Sequence, residues 1–370
     1  MSVLNAFVRS PATGYSSSIA MPSNRDPLPV VTVIVTSDYD GGSEKAWGHV
    51  RAALRALARQ DFDEPAEFLL VESQEMETGP ISPPGAATGP SGEMGTRAIS
   101  WAAATSGTEG VLPRELAQEL PGLKVILAPV HTSYELKNAG ARVAAGDLIV
   151  FLDADCVPQP GWLRALVTTM RRNPDAAATS GRTVYEEHGL VARALTVLSR
   201  GFLDPGGNGA GRTKFISNNN GCIRREVFLA HPLPTEGGPF AARVQSEALR
   251  RKGGRMLFTP DAVVVHEFEG WPMERDIRRN IGYATIRIRQ MDPAMPFAWL
   301  ARLGPVSIPL FFVARTIDSC WDCLRVGRRY GLRWFELPAA FAMAVVVHAM
   351  ELGGMRSAFR SQPLVETAYR

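Results

Sequence analysis

Two carboxylates, Asp153 and Asp155, stand one residue apart at the end of an apolar run, Asp147-Leu148-Ile149-Val150-Phe151-Leu152. The run reads as a buried parallel strand, and the point where such a strand opens into a loop is the edge at which α/β sheets bind ligands. Acceptor-only oxygens suit a hard divalent cation, Mg²⁺ or Mn²⁺, that also grips phosphates. Asp-x-Asp alone is a weak signal, because strand ends often carry polar residues.

The elements around the pair are those of a nucleotide-binding sheet. Val30–Thr36 reads as a strand buried on both faces, and Trp47, Val50, Ala53, Leu54 and Leu57 recur at helical spacing up to about Arg59. Glu67–Val71 is the next strand, so the three make a βαβ unit with a right-handed crossover. Residues 74–113, crowded with Gly, Pro, Ser, Thr and Ala, read as an inserted loop, either a tolerated surface insertion or a lid. Lys124–Ala128, Ser133–Ala144 and the strand into Asp153 resume the alternation. Helix 161–171, a strand near 176–180 and a strand at 257–266 follow.

Beyond residue 270 the pattern changes. Trp271–Arg289 is a basic helical stretch, followed by apolar runs at 303–313 and 337–350. Between Trp271 and Trp334 there are eleven Arg, no Lys and five acidic residues. Neither run has the roughly twenty apolar residues that a spanning helix needs. The first is interrupted by Pro305 and Pro309, and the second by His348 and Glu351. With Arg325, Arg328, Arg329, Arg333, Tyr330 and Trp334 between them, residues 291–370 are expected to be helical and to sit on an anionic membrane surface. The alternative is a helical lobe packed on the catalytic domain.

The net charge of +3 over 370 residues gives no reason to expect nucleic acid. Cys156, Cys222, Cys320 and Cys323 fit a reducing compartment, and the Cys-x-x-Cys at 320–323 lacks partners for a zinc site. No signal peptide is expected, since no basic start precedes an apolar run. Residues 1–28 read as a mobile leader. These features place the protein in the cytoplasm, peripheral on the inner face of the membrane.

The ordered string Lys137-Asn138-Ala139-Gly140, Ala144-Ala145-Gly146-Asp147, Asp153-Ala154-Asp155-Cys156, then Pro158, Pro160, Gly161 and Trp162 resembles the signature of family 2 glycosyltransferases. The opening strand, a second strand ending in Glu72, and Pro260–His266 extend the resemblance over roughly residues 29–290. It implies a GT-A fold: a mostly parallel α/β sheet flanked by helices, here with a helical C-terminal appendage. It also implies sugar transfer with inversion from a nucleoside-diphosphate donor, a UDP- or GDP-sugar, to a glycan or lipid-linked acceptor. Glu72 falls where the family grips the nucleoside base, and Lys137 and Asn138 fall near the donor. Asp153 would face the ribose and the metal, with Asp155 as direct ligand and His266 contributing. Arg278, Arg279 and Arg289 are candidates for clamping the diphosphate, because guanidinium pairs bidentately with phosphate.

The pattern breaks at the general base. Where the family carries Glu-Asp before a late strand, this chain has Ala241-Ala242. The nearby acids are Glu236 and Glu247, and Glu247 is the expected base, although it could equally pair with Arg250 or Arg251. A second departure is Asn218-Asn219-Asn220, which suits a sugar or acceptor site and also a plain turn. Two rivals share the Asp pair: a nucleotidyl- or phosphotransferase, and an inactive nucleotide-sugar-binding protein.

Overall fold

The computed structural model describes residues 30–37, 44–73, 97–99, 116–130, 132–186, 189–207, 209–234 and 240–360. The leader 1–28 and most of the inserted loop 74–113 lie outside them. The chain order is β1 (Val31–Thr36), α1 (Glu44–Ala58), β2 (Ala66–Ser73), β3 (Arg97–Ile99), α2 (Leu116–Glu119), β4 (Lys124–Ala128), α3 (Ser133–Val143) and β5 (Leu148–Asp153). Next come β6 (Cys156–Pro158), α4 (Trp162–Arg172), β7 (Ala176–Tyr185), α5 (Leu190–Arg200), β8 (Gly211–Thr213), β9 (Asn220–Arg224) and α6 (Arg225–Ala230). The chain continues through α7 (Ala241–Arg251), β10 (Arg255–His266), α8 (Trp271–Met291), α9 (Ala298–Ala301), α10 (Ile308–Val326) and α11 (Leu337–Phe359).

One sheet carries the strands in the order β3-β4-β2-β1-β5-β9-β7-β10-β6, with β8 beside β10. β4, β2, β1 and β5 run parallel, as the βαβ reading expects. Beyond β5 the sheet is mixed: β9 enters antiparallel between β5 and β7, while β7 and β10 are parallel. One face packs on α1 and α4 through Val33, Val35, Leu54, Leu152, Leu163 and Leu166. The other packs on α3, α6 and α7 through Ile34, Leu69, Ala139, Ile149, Phe228 and Leu249. The strands are therefore buried on both sides, which is why they read as continuous apolar runs rather than alternating ones.

The C-terminal helices pack on α5 and α8, not on the sheet faces just described. α8 and α11 approach so closely that a Cβ on Gly354 would lie 1.8 Å from the Arg279 carbonyl oxygen, and one on Gly282 2.0 Å from that of Glu351. The second apolar run is longer than the sequence reading allowed. The helical stretch Trp334–Phe359 has 26 residues and contains an 18-residue window of mean hydropathy 1.5, sufficient by length and composition to cross a bilayer. The polar His348 and Glu351 do not end it, because the helix turns both inward and buries them.

Glu351 is fully buried and accepts hydrogen bonds from Arg315 Nε (2.5 Å) and Nη2 (2.9 Å). His348 Nδ1 lies 3.0 Å from the same carboxylate, and its Nε2 lies 2.8 Å from Ser319 Oγ. Arg278 stands 3.7 Å away. Burial alone would raise the Glu351 pKa, but Arg315 and His348 outweigh it and bring it from 4.5 to about 2. The resulting stabilisation is complete above about pH 4.5 and is lost as pH falls through about 2. Glu351→Ala strands buried cations and is expected to cost about 3–5 kcal/mol near neutrality. Denaturant unfolding at neutral and acid pH checks this: the gap between variant and wild type should close as Glu351 protonates.

Candidate active site

The C-terminal ends of β2, β1 and β5 lie side by side, with Val71 in register with Thr36 and Thr36 with Asp153. Glu72, one step along, is fully buried opposite Leu127. The Thr36 hydroxyl donates to Asp153 Oδ1 at 3.2 Å. Helix α3 begins with a capping box, in which Glu135 N donates to Thr132 Oγ1 and Thr132 N to Glu135 Oε2. That start fixes the helix so that Lys137 reaches the strand end. Lys137 Nζ donates to Asp153 Oδ1 (2.5 Å), Ser133 Oγ (2.5 Å) and Thr36 Oγ1 (3.2 Å).

Lys137, expected near the donor, does not itself line the cleft. It is fully buried, and its ammonium pairs with Asp153 and aims that carboxylate. Asn138 does not line the cleft either. Its Nδ2 donates to Leu233 O (2.8 Å) and its Oδ1 accepts from Leu233 N (3.0 Å), so both ends of the amide pin a neighbouring segment.

Asp155 and His266 meet because β6 runs antiparallel to β10, with Cys156 in register with His266. The Ala154 N–H donates to Thr36 O, and the Glu267 N–H to Asp155 O, which fixes the turn between the two acids. His266 Nδ1 lies 2.6 Å from the Glu267 carbonyl oxygen, which can only accept, so Nδ1 carries the proton. In the neutral ring Nε2 then presents a lone pair, and it faces Asp155 Oδ2 at 3.3 Å. Two electron-rich atoms this close require a proton or a metal ion between them. A backbone carbonyl that takes one ring N–H and leaves the other nitrogen free to ligate is how metal-binding histidines are arranged.

Burial, with Asp153 nearby, pushes the Asp155 pKa above its ordinary value, opposed by His266. Cys156 completes a set with Asp155 and His266 whose potential ligand atoms lie within 4.8 Å of one another. Its thiol is buried, and burial beside Asp155 raises its pKa well above the ordinary value. As a thiol it donates to Asp155 Oδ1 at 3.4 Å, and the remaining oxygen–nitrogen set suits Mn²⁺ or Mg²⁺ better than a thiophilic ion.

These residues open into a cleft of about 760 Å³. Asp153, Asp155, His266, Glu267, Glu269 and Glu274 supply its polar wall, Tyr134, Tyr185 and Phe268 its aromatic one, and Asn218 and Asn219 a rim. Tyr185 sits edge-on to His266, with ring centroids 5.5 Å apart, and to Phe268 at 5.9 Å. Of the three asparagines, Asn220 is structural: its Oδ1 accepts from Trp162 Nε1 and its Nδ2 donates to Arg182 O and Ala262 O.

Arg200, the last residue of α5, also lines the cleft and belongs to none of the ion pairs among the described residues. Sequence reading missed it, because a lone Arg closing an amphipathic helix carries no local signal. The arginines that were singled out lie elsewhere. Arg278 is buried, bonded to Glu274 (2.6 Å) and Ser199 (2.6 Å), and does not line the cleft. Arg279 is exposed on α8, away from the lining residues. Arg289 donates to the carbonyls of Pro296 and Thr285, and burial lowers its pKa to about 9. Glu247 is buried on α7, accepts from Arg250 Nη2 at 2.7 Å, and is not among the lining residues. Ala241 and Ala242, buried at the start of α7, put no carboxylate in the family's usual place.

Comparison with known proteins points the same way. Residues 111–230 match the model of "Glycosyl transferase family 2". A glucosyl-dolichyl phosphate glucuronosyltransferase from Haloferax volcanii is 38% identical over 48 residues, 13% of this chain and 15% of the length of that protein. The solved mannosyltransferase PcManGT from Pyrobaculum calidifontis, in complex with GDP-Man and Mn²⁺, superposes with a TM-score of 0.54 at 16% identity. That superposition covers 93% of this chain and 92% of the other, so the C-terminal helices belong to the shared fold.

Proposed function

We propose that this chain, a family 2 glycosyltransferase by its matched segment and its GT-A fold, moves a sugar from a nucleoside diphosphate to a hydroxyl on a lipid-linked acceptor. The observation that carries the reading is the Asp155–His266 pair at the strand end, with Asp153 held beside it by Lys137. Asp155 and His266 would hold a divalent ion, with Asp153 facing it from the strand end. Such an ion, Mn²⁺ or Mg²⁺, neutralises the charge that builds on the departing diphosphate. Arg200 offers a second, bidentate partner to that diphosphate. Tyr185 and Phe268 supply apolar surface for the sugar or base.

Glu269, on the loop after His266 and part of the cleft wall, replaces Glu247 as the carboxylate that takes the acceptor's proton. Inversion at the anomeric carbon is what the family resemblance implies. The GDP-Man and Mn²⁺ of the mannosyltransferase complex support a nucleotide-sugar donor with a divalent metal. The glucuronosyltransferase, acting on a dolichyl-phosphate-linked sugar, supports a lipid-linked acceptor. With such an acceptor the enzyme works at a membrane surface, peripheral on its cytoplasmic face, with residues 291–370 as the associating region.

Incubation of the full chain with a panel of UDP- and GDP-sugars and Mn²⁺ tests the reading. Slow release of the nucleoside diphosphate from one donor is the expected result. Release of pyrophosphate would instead assign a nucleotidyltransferase, and binding without any turnover an inactive relative.

A further inference from the structure

We infer that the outward faces of α10 and α11 form one apolar platform that lies flat in the interface of an anionic bilayer and sends no segment across it. This deepens the reading of residues 291–370 as membrane-associating by naming the surface, its lipid partner and its orientation. On α10, Leu310, Val313, Ile317, Trp321 and Leu324 are each more than half exposed. Their steps of three and four residues put them on one stripe. On α11 the exposed positions from 338 to 353 are Pro338, Ala339, Ala342, Val345, Val346, Ala349 and Gly353, none with a polar side chain. Trp299 (63% exposed), Val306 (76%) and Trp334 (79%) extend the patch at its margins.

The chemistry of the patch selects lipid over a protein partner. Seven outward positions over a little more than four turns of α11 offer no hydrogen-bonding side chain, whereas protein interfaces carry a hydrogen bond every 100–200 Å² or so. Hydrocarbon asks for none. Charge at the margins fits anionic headgroups. Arg302, Arg328, Arg333, Arg356 and Arg360 are exposed, while Asp318 is the one exposed acid among described residues 293–360. Tryptophans at the edge of such a patch sit at headgroup depth.

The inward faces decide the orientation. By length α11 could span. Its Glu351 and His348, however, are bound to Arg315 and Ser319 of α10 and lie beside Arg278 of α8. Its Gly354 is locked against the backbone of α8. α8 carries exposed Arg275, Arg279 and Arg287. Crossing would either pull those charges into hydrocarbon or tear the buried ion-pair cluster apart. Lying flat keeps both intact. Arg278 also bonds Glu274 of the cleft wall, so the platform is tied rigidly to the site.

Flotation of the full chain with vesicles of phosphatidylcholine alone, or with added phosphatidylglycerol, tests the inference. The protein should float with the anionic vesicles, more weakly with the neutral ones, and should be released by alkaline carbonate. Ile317→Glu with Val346→Glu, both on exposed positions, should lower partitioning on the order of 100-fold. Donor hydrolysis in solution and the melting temperature should stay unchanged, which separates loss of the platform from failure of the enzymatic reading. No flotation with either vesicle, equal flotation of wild type and double variant, or resistance to carbonate would overturn the inference. So would a wild-type dimer that the double variant loses while neither binds vesicles, since the face would then belong to a second copy.

Discussion

Replacing Asp155 with Ala should lower turnover on the preferred donor by roughly 10³-fold or more, because metal stabilisation of a leaving diphosphate is worth several kcal/mol. The fold should survive. Asp155 is buried with its carboxyl near Asp153, and its pKa is raised by that burial. A carboxyl whose folded pKa is raised costs stability at every pH above that value, and the cost fades as pH falls. Without metal, Asp155→Asn should therefore melt no lower than wild type at neutral pH. With Mn²⁺ and nucleoside diphosphate, wild type should gain stability in proportion to ligand occupancy and Asp155→Asn should not. A variant that melts far below wild type without metal would mean that Asp155 serves the fold instead.

The second large effect is expected at Arg200. A cationic partner removed from a developing diphosphate charge costs roughly 100-fold in turnover. Arg200→Ala should show that loss, with a smaller change in the Michaelis constant of the donor. Arg200→Lys should recover only part of it, since an ammonium cannot make the planar two-point contact. Arg279→Ala, on the exposed face of α8, should leave turnover within twofold or so. Steady-state kinetics on the donor found in the panel decide between them. Equal losses at Arg200 and Arg279, or none at Arg200, would return the clamp to the basic helix.

What the sequence disclosed follows from how local each signal is. The strands of 31–36, 124–128 and 148–153 are short, mostly apolar runs buried on both faces, and that continuity was enough to find them. Asp153 and Asp155 announce themselves by standing where such a run stops. His266 was reachable only through the family resemblance, because its meeting with Asp155 depends on β6 folding back antiparallel onto β10. Arg200 lines the cleft and Arg278 does not, for a reason the sequence hides. Arg278 lies four residues after Glu274 and faces Glu351 from a helix far along the chain, so its charge is satisfied internally. Arg200 ends a helix at the cleft, and nothing within ten residues marks it. The length of α11 was underestimated because His348 and Glu351 looked like interruptions, and their burial depends on Arg315.

The central claim is that Asp155 and His266 together hold the metal that binds the donor's diphosphate. Isothermal titration calorimetry of UDP and GDP into the full chain, with and without Mn²⁺, tests it most directly when repeated on Asp155→Ala and His266→Ala. The account predicts metal-dependent binding of one nucleotide to wild type, lost in Asp155→Ala and weakened at least tenfold or so in His266→Ala, in line with loss of a ligand. Binding of the same strength without Mn²⁺, or unchanged in Asp155→Ala, would contradict it.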